Sequence, residues 1–226
     1  RALAGDRILV GAAVGVNGDS WERAQALVEA GANLLCIDVA HGHTKATGEQ
    51  LRRIADRFYD IEIMSGNICT VDGAKFSEDN GATVLRVGVG GGSVCTTREV
   101  AGVGLGQLSA ILEIAEMANK PIVADGGIRK SGDIVKALAA GADAVILGNL
   151  FSSFSISAAP VVGDKKLFRG MASDSALSEY KGSRAEYVVE GEACFVDIDR
   201  DYENTFSNLL KGVRTGFSYL GRSEEH

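Results

Sequence analysis

Proline, histidine and cysteine are all scarce in this chain, and each shortage excludes something. Its 226 residues hold 2 prolines, 3 histidines and 4 cysteines. The cysteines (Cys36, Cys69, Cys95, Cys194) form no C-x-x-C pair and no zinc spacing. In a chain this long and apolar a disulfide framework is not expected, and a reducing, cytoplasmic compartment is. His41 and His43, in Asp38-Val-Ala-His-Gly-His43, lack a third ligand for a convincing zinc site. Positive charge is short as well. A net charge of -7 and a pI near 5.1 argue against a nucleic-acid partner, and the scattered Asp and Glu read as solvated faces. No apolar run is long enough to span a bilayer, so no membrane partner is expected. The start does not read as a signal peptide, and the polar tail, residues 221–226, is expected to fray.

Glycine is what the chain has in quantity, 29 residues within a composition that is 46% hydrophobic. That suits one large globular domain with many tight strand-to-helix turns. A local signature recurs as Glu29-Ala-Gly-Ala-Asn-Leu-Leu-Cys-Ile-Asp38, Asp79-Asn-Gly-Ala-Thr-Val-Leu-Arg-Val-Gly88 and Ala139-Ala-Gly-Ala-Asp-Ala-Val-Ile-Leu-Gly148. In each, a helical pattern ends at Gly and a short apolar run follows, of a length that suits a strand buried on both faces. Further strands are read at residues 8–13, 61–65 and 121–125. Amphipathic helices are read at residues 20–30, 47–58, 71–78, 106–118 and 131–140. A last helix, residues 202–216, follows a long irregular segment that includes residues 168–192. This alternation implies an α/β fold with a parallel sheet and right-handed crossovers.

Asp38, Asn67, Ser93, Cys95, Asp125, Gly127, Gly148 and Asn149 all fall at or just past a strand's C-terminal end. In a (β/α)8 TIM barrel that face carries the site, with phosphate often held after strands 7 and 8. A doubly wound sheet makes a similar pattern, but here functional-looking loops follow nearly every strand. About six βα units are read where a barrel needs eight. The first two are therefore expected to be absent from residues 1–226, as in a fragment, a trimmed form or half of a split protein. A six-unit barrel leaves two open edges that need cover.

Cys95 closes the run Arg86-Val-Gly-Val-Gly-Gly-Gly-Ser-Val-Cys95, with Thr96-Thr97 behind it. Glycines let backbone approach a ligand, and a thiol held in such a loop reads as a nucleophile for an electrophilic ring carbon, activated by nearby N–H groups. The alternative is a small packing thiol. Cys36, inside an apolar strand, reads as core, Cys194 reads as structural, and Cys69 is ambiguous. Asp125-Gly-Gly-Ile-Arg129 offers a carboxylate for a ribose diol and an N–H at Gly127 for phosphate; its rival reading is a helix cap. With Gly148-Asn149 it points to a phosphorylated ligand. Asp38 reads as a contact for a cofactor or second substrate. Glu190, before Gly191, is either a carboxylate on a mobile lid or a solvated loop acid.

Together these motifs resemble the family of inosine monophosphate dehydrogenases and guanosine monophosphate reductases over nearly the whole chain. Gly92-Ser-Val-Cys-Thr-Thr-Arg98, Gly102-Val-Gly104, Asp125-Gly-Gly-Ile128, Ser131-Gly-Asp-Ile-Val-Lys-Ala-Leu-Ala-Ala-Gly141 and Arg169-Gly-Met171 carry the likeness. It implies a purine nucleoside monophosphate substrate, attack of Cys95 on purine C2, and hydride exchange with NADP or NAD. Ser93, Asp125, Gly127, Gly148 and Asn149 would hold ribose and phosphate, and Gly170, Met171 and Ser173 would meet the base. Asp38 would face the nicotinamide ribose, with Asn67 near purine or cofactor. The carbonyls of Gly90, Gly92 and Cys95 match a potassium site, chemistry that suits a hard cation. The likeness also implies a homotetramer. The dehydrogenases' paired regulatory CBS-type domain is not found in residues 1–226, which read as a single catalytic barrel.

Direction is read from the segment after Met171. The dehydrogenases activate water with an adjacent Arg-Tyr pair, and Ser183-Arg-Ala-Glu-Tyr187 has none. The reductases carry Ala-Glu-Tyr and then Glu-Gly, matched by Ala185-Glu-Tyr187 and Glu190-Gly191, so Thr97 and Glu190 would protonate the departing amino group. Ile128-Arg129 and Ser131-Gly-Asp133 follow the dehydrogenase pattern instead; Val188, Val189 and Asn149 depart from the reductase one. GMP reductase is thus the favoured expectation and IMP dehydrogenase the alternative. An FMN-dependent barrel oxidoreductase and a catalytically silent binding protein are the further rivals, since fold likeness alone excludes neither.

Overall fold

The computed structural model describes residues 3–4, 7–181 and 188–221. A short antiparallel pair, β1 (Leu3–Ala4) and β2 (Arg7–Ile8), precedes β3 (Gly11–Val14). Then come α1 (Ser20–Glu29), β4 (Leu34–Asp38), α2 (Lys45–Arg57), β5 (Glu62–Ile68), α3 (Val71–Asp79) and β6 (Val84–Val87). The alternation continues with α4 (Thr97–Val100), α5 (Gln107–Ala115), β7 (Ile122–Asp125), α6 (Ser131–Ala139), β8 (Ala144–Ile146) and α7 (Asn149–Ser152). Strands β3 to β8 form one parallel sheet in sequential order. Sequential parallel strands joined by helices are the arrangement of a partial (β/α)8 barrel.

The recurring signature builds the helix ends as its glycines require. Gly31, Gly81 and Gly141 sit at φ of 94, 100 and 109°, just past α1, α3 and α6. Only a residue without Cβ enters this region at no steric cost, so each helix stops there and releases the chain into a strand. Thr44 and Thr70 start α2 and α3, their hydroxyls accepting the amides of Thr47 and Gly73.

Strands β4 and β6 and the start of β5 alternate, which departs from the expectation of burial on both faces, whereas Ile122, Val123 and Ala124 of β7 are buried in succession. Leu35, Ile37, Ile63, Leu85 and Val87 are buried, packing in one core with Leu51 and Ile54 of α2 and Ile111 and Ile114 of α5. Each such side chain contributes about 1.5–3 kcal/mol. Their strand neighbours Cys36, Met64 and Arg86 are only half-buried on the opposite face. The reason is parity: period-two side chains divide between a face under the helices and a face that carries polar groups.

Two further expectations are corrected. The strand read at residues 8–13 is split: Ile8 ends β2, Leu9 and Val10 lie between β2 and β3, and all three are exposed. The segment read as irregular holds regular structure: β9 (Val161–Val162), β10 (Lys165–Arg169), α8 (Asp174–Lys181) and β11 (Ala193–Asp197). The strands form an antiparallel sheet in the order β11-β10-β9. Their alternation was masked by its short runs and by the lysines of β10. The last helix, α9 (Tyr202–Tyr219), is longer than expected and packs on α6, where Gly212 and Gly216 let Ser131 and Val135 come close. Among the described residues no helix is long and apolar enough to cross a membrane.

Candidate active site

Parallel register lines up the strand ends, and Arg86 of β6 ties three of them together. Its guanidinium meets Asp38 of β4 at 2.7 Å and Asp125 of β7 at 2.9 Å. Its Nε also donates at 2.9 Å to the same oxygen, Asp125 Oδ2, so two guanidinium N–H groups converge on one carboxylate oxygen. Asn67 of β5 completes the group, its Nδ2 donating to Asp125 Oδ2 at 2.8 Å and to the Gly88 carbonyl at 2.6 Å. Both amide protons of Asn67 are thereby spent inside the protein. Arg86 is 16% exposed, and burial opposes its charge; Asp125 and then Asp38 outweigh that and hold the guanidinium above its ordinary range.

Arg86 is the residue that sequence reasoning missed. The available signal was a lone charge inside the apolar run Val84–Val87. Cys36 is likewise corrected from core filler to a half-buried thiol 3.5 Å from Arg86 Nη1. Burial pushes this thiol up from its ordinary value, with Arg86 pulling the other way. Asp125 is no helix cap, since the cap position of α6 is Lys130.

Beyond β6 the glycine turn passes close to the turn after β7. Gly88 has φ of 144°, and a Cβ there would run into the Asp125 carbonyl. The Cβ site of Gly126 lies 3.0 Å from the Gly91 carbonyl carbon, so the turns bearing Ser93 and Gly127 stack backbone to backbone. Arg98 fastens the loop from behind, donating to the Val89 carbonyl at 3.1 Å.

Cys95 follows that turn, half-buried, with Sγ 3.2 Å from Thr97 Oγ1. Thr97 Oγ1 donates to Glu190 Oε2 at 2.9 Å. The segment bearing Glu190 is held by backbone: Thr96 N meets Glu190 O at 3.0 Å, and Glu192 N meets Val94 O at 2.8 Å. Cys95 and Ser173 each bridge to buried Gly191. Glu190 is thus a partnered carboxylate, not a solvated loop acid.

Gly170 packs its Cα face near Val94, and Met171 is 66% exposed at the mouth of this junction. Ser173 is buried, its hydroxyl accepting Ala176 N at the start of α8. Gly148 is exposed after β8, with Phe168 of β10 beside it, and Asn149 opens α7. Gly90 is held at φ of 73° against the Arg98 side chain, and Gly92 O accepts Cys95 N at 3.1 Å. Ala185-Glu-Tyr187, used above to read direction, lies outside the described residues. Among the described residues no cluster of three or more His, Cys, Asp or Glu could hold a metal, and His43 packs on Phe76.

A family model described as IMP dehydrogenase / GMP reductase domain matches residues 3–225. The chain is 42% identical over 234 residues to an inosine-5'-monophosphate dehydrogenase of Halalkalibacterium halodurans, covering 95% of this chain and 47% of that protein. The same enzyme of Aquifex aeolicus is 42% identical over 229 residues, with the same two coverages of 95% and 47%. The crystal structure of a GMP reductase from Trypanosoma brucei in complex with guanosine 5'-monophosphate superposes with a TM-score of 0.88 at 40% identity, covering 94% of this chain and 46% of that one. The chain spans about half the length of the curated relatives it matches.

Proposed function

This chain belongs to the IMP dehydrogenase / GMP reductase family, and on that premise we propose that it works at C2 of a purine nucleoside monophosphate, reducing GMP to IMP with release of ammonia. The observation that carries this reading is the line from Cys95 through Thr97 to Glu190. A threonine has one hydroxyl proton, and here it is given to Glu190. At 3.2 Å the Cys95 S–H is then the donor to Thr97. The line therefore carries a proton from thiol to carboxylate.

The step balances with that single proton. Sulfur bonds to C2 as its proton passes through Thr97 to Glu190. The proton returns along the same path to the amino group, the C2–N bond breaks, and ammonia leaves with the C2–N3 double bond restored. A nicotinamide dinucleotide, when bound, supplies the hydride to C2. The C2–S bond then breaks, the C2–N3 double bond re-forms as IMP is released, and the electron pair returns to Cys95 as a thiolate that takes one proton from solvent.

Asp125, oriented by Arg86 and Asn67, takes the ribose diol. Ser93, Gly127, Gly148 and Asn149 take the phosphate, and Gly170, Met171 and Ser173 frame the base. For the cofactor, NADP or NAD, Asp38 fits the nicotinamide ribose: one oxygen is held by Arg86 while the side chain remains 38% exposed. Asn67 serves that side through its remaining amide oxygen. A potassium ion suits the carbonyls of Gly90, Gly92 and Cys95, since a carbonyl keeps a second lone pair after one turn bond. A homotetramer is the proposed assembly, and the exposed apolar residues Val161, Val162 and Phe195 of the small sheet support an interface.

IMP dehydrogenation is the second reading, favoured by the activity named for the curated relatives. Two assays on the protein carrying this chain decide: GMP with NADPH, following ammonia, and IMP with NAD, following NADH. The first is expected to be faster. Robust IMP oxidation without GMP deamination would reverse the direction.

A further inference from the structure

Lys166 is a buried charge that the chemistry above does not use. Its side chain is 1% exposed in β10. Its Nζ donates to the carbonyls of Phe154 (2.7 Å), Ser155 (3.0 Å) and Ser157 (2.7 Å) and to the Ser157 hydroxyl (2.8 Å). Among the described residues no carboxylate pairs with it. A buried ammonium without a counter-ion persists only where protein oxygens replace its water. All of those oxygens come from one turn, residues 154–157, so the three ammonium protons are committed there.

That turn joins two parts of the site. The Ser157 hydroxyl donates to the Ser152 carbonyl at 2.7 Å, at the end of α7, which opens with Asn149 directly after Gly148. In the other direction, β10 runs from Lys166 into Gly170 and Met171. The Asp199 carbonyl and amide, beyond β11, hold the same turn at Ser155 N (2.8 Å) and Ser153 O (2.9 Å).

We propose that Lys166 is a positioning residue for the phosphate end of the nucleotide site. It gathers the oxygens of residues 154–157 around one cation and so holds α7, with Gly148 and Asn149, against β10. This rests on the reading of Gly148 and Asn149 as phosphate-binding residues. Without the cation, the gathered acceptors face one another unpaired, and the turn opens to reach water. Cys95 is anchored separately, through Thr97 and Glu190. The loss therefore falls on binding of the phosphorylated nucleotide and spares the chemical step.

The test compares Lys166→Met and Ser157→Ala with the unaltered protein, measuring KM and kcat for GMP and IMP and titrating GMP and guanosine by calorimetry. Lys166→Met is expected to raise the nucleotide KM by about tenfold or more with kcat within about threefold. Ser157→Ala, which removes the link to Ser152, is expected to raise it by about threefold in the same pattern. Guanosine, which lacks the phosphate, should bind both variants as it binds the unaltered protein. A fall in kcat at constant KM, equal weakening of GMP and guanosine, or no change in either variant overturns the proposal. If Lys166→Met does not fold, Ser157→Ala decides by the same criteria. Unaltered protein that binds neither GMP nor IMP overturns this proposal together with the functional reading; normal binding with indifferent variants overturns this proposal alone.

Discussion

The group around Arg86 and the group around Cys95 share one end of the sheet but are held in place by different means. Asp38, Asn67, Arg86 and Asp125 sit on four neighbouring strands, so register brings them together and charge then fastens them. Cys95, Thr97 and Glu190 come from segments 93 residues apart, joined by single hydrogen bonds and isolated backbone bridges. The first group belongs to the scaffold, and the second depends on the contacts that hold residues 190–192 against the Cys95 loop. Ligand binding and proton transfer should therefore fail separately when each is damaged.

The sharpest cut is Cys95→Ala. Ammonia release from GMP is expected to fall by about 10⁴-fold or more, while GMP affinity by calorimetry stays within about threefold. Glu190→Gln keeps the shape of the lid contact and removes the proton acceptor. Single-turnover deamination should slow by about 10²-fold or more with binding again preserved. Equal losses in binding and turnover would erase the distinction between the two groups.

Arg86→Met attacks the other side. It leaves Asp125, 19% exposed, without its ion pair. The cost should lie between that of an exposed and a buried pair, about 2 kcal/mol in urea unfolding. The KM for GMP should rise more than kcat falls. Unchanged stability would mean that register alone holds this group.

The smallest effect is a control outside both groups. Asp133 accepts Arg129 N at 3.1 Å and pairs with Lys136 at 3.2 Å. Burial pushes its carboxyl up, but these partners outweigh that and hold it below the usual carboxylate range. Its folded pKa lies below the unfolded one. Its stabilising contribution is thus complete above the unfolded value of about 4 and is lost as pH falls through the folded pKa. Asp133→Asn should cost about 0.5 kcal/mol at neutral pH, and the two proteins should converge in acid without any change in KM.

Much of the scaffold was legible along the chain because it is local. The repeated Gly-Ala signature marks three helix ends and the strands that follow, and strand ends marked most of the candidate site. Arg86 was not legible as a site residue, because its partners lie on strands 39 and 48 residues away. The small sheet was missed because β9 has only two residues and β10 finds its longer partner far along the chain, with Lys165 paired to Asp197 in register. Lys166 carried no signal in the sequence, since nothing nearby along the chain announces the oxygens that bury it.

Sequence alone determined the alternation of strands and helices, the glycine turn before Cys95 and the family likeness, because propensity, periodicity and short motifs act between neighbours. Tertiary structure alone decided that Asp125 answers to Arg86 and that Glu190 reaches Thr97. Charge pairing and proton transfer depend on separations of about 3 Å, and only packing brings residues distant along the chain that close.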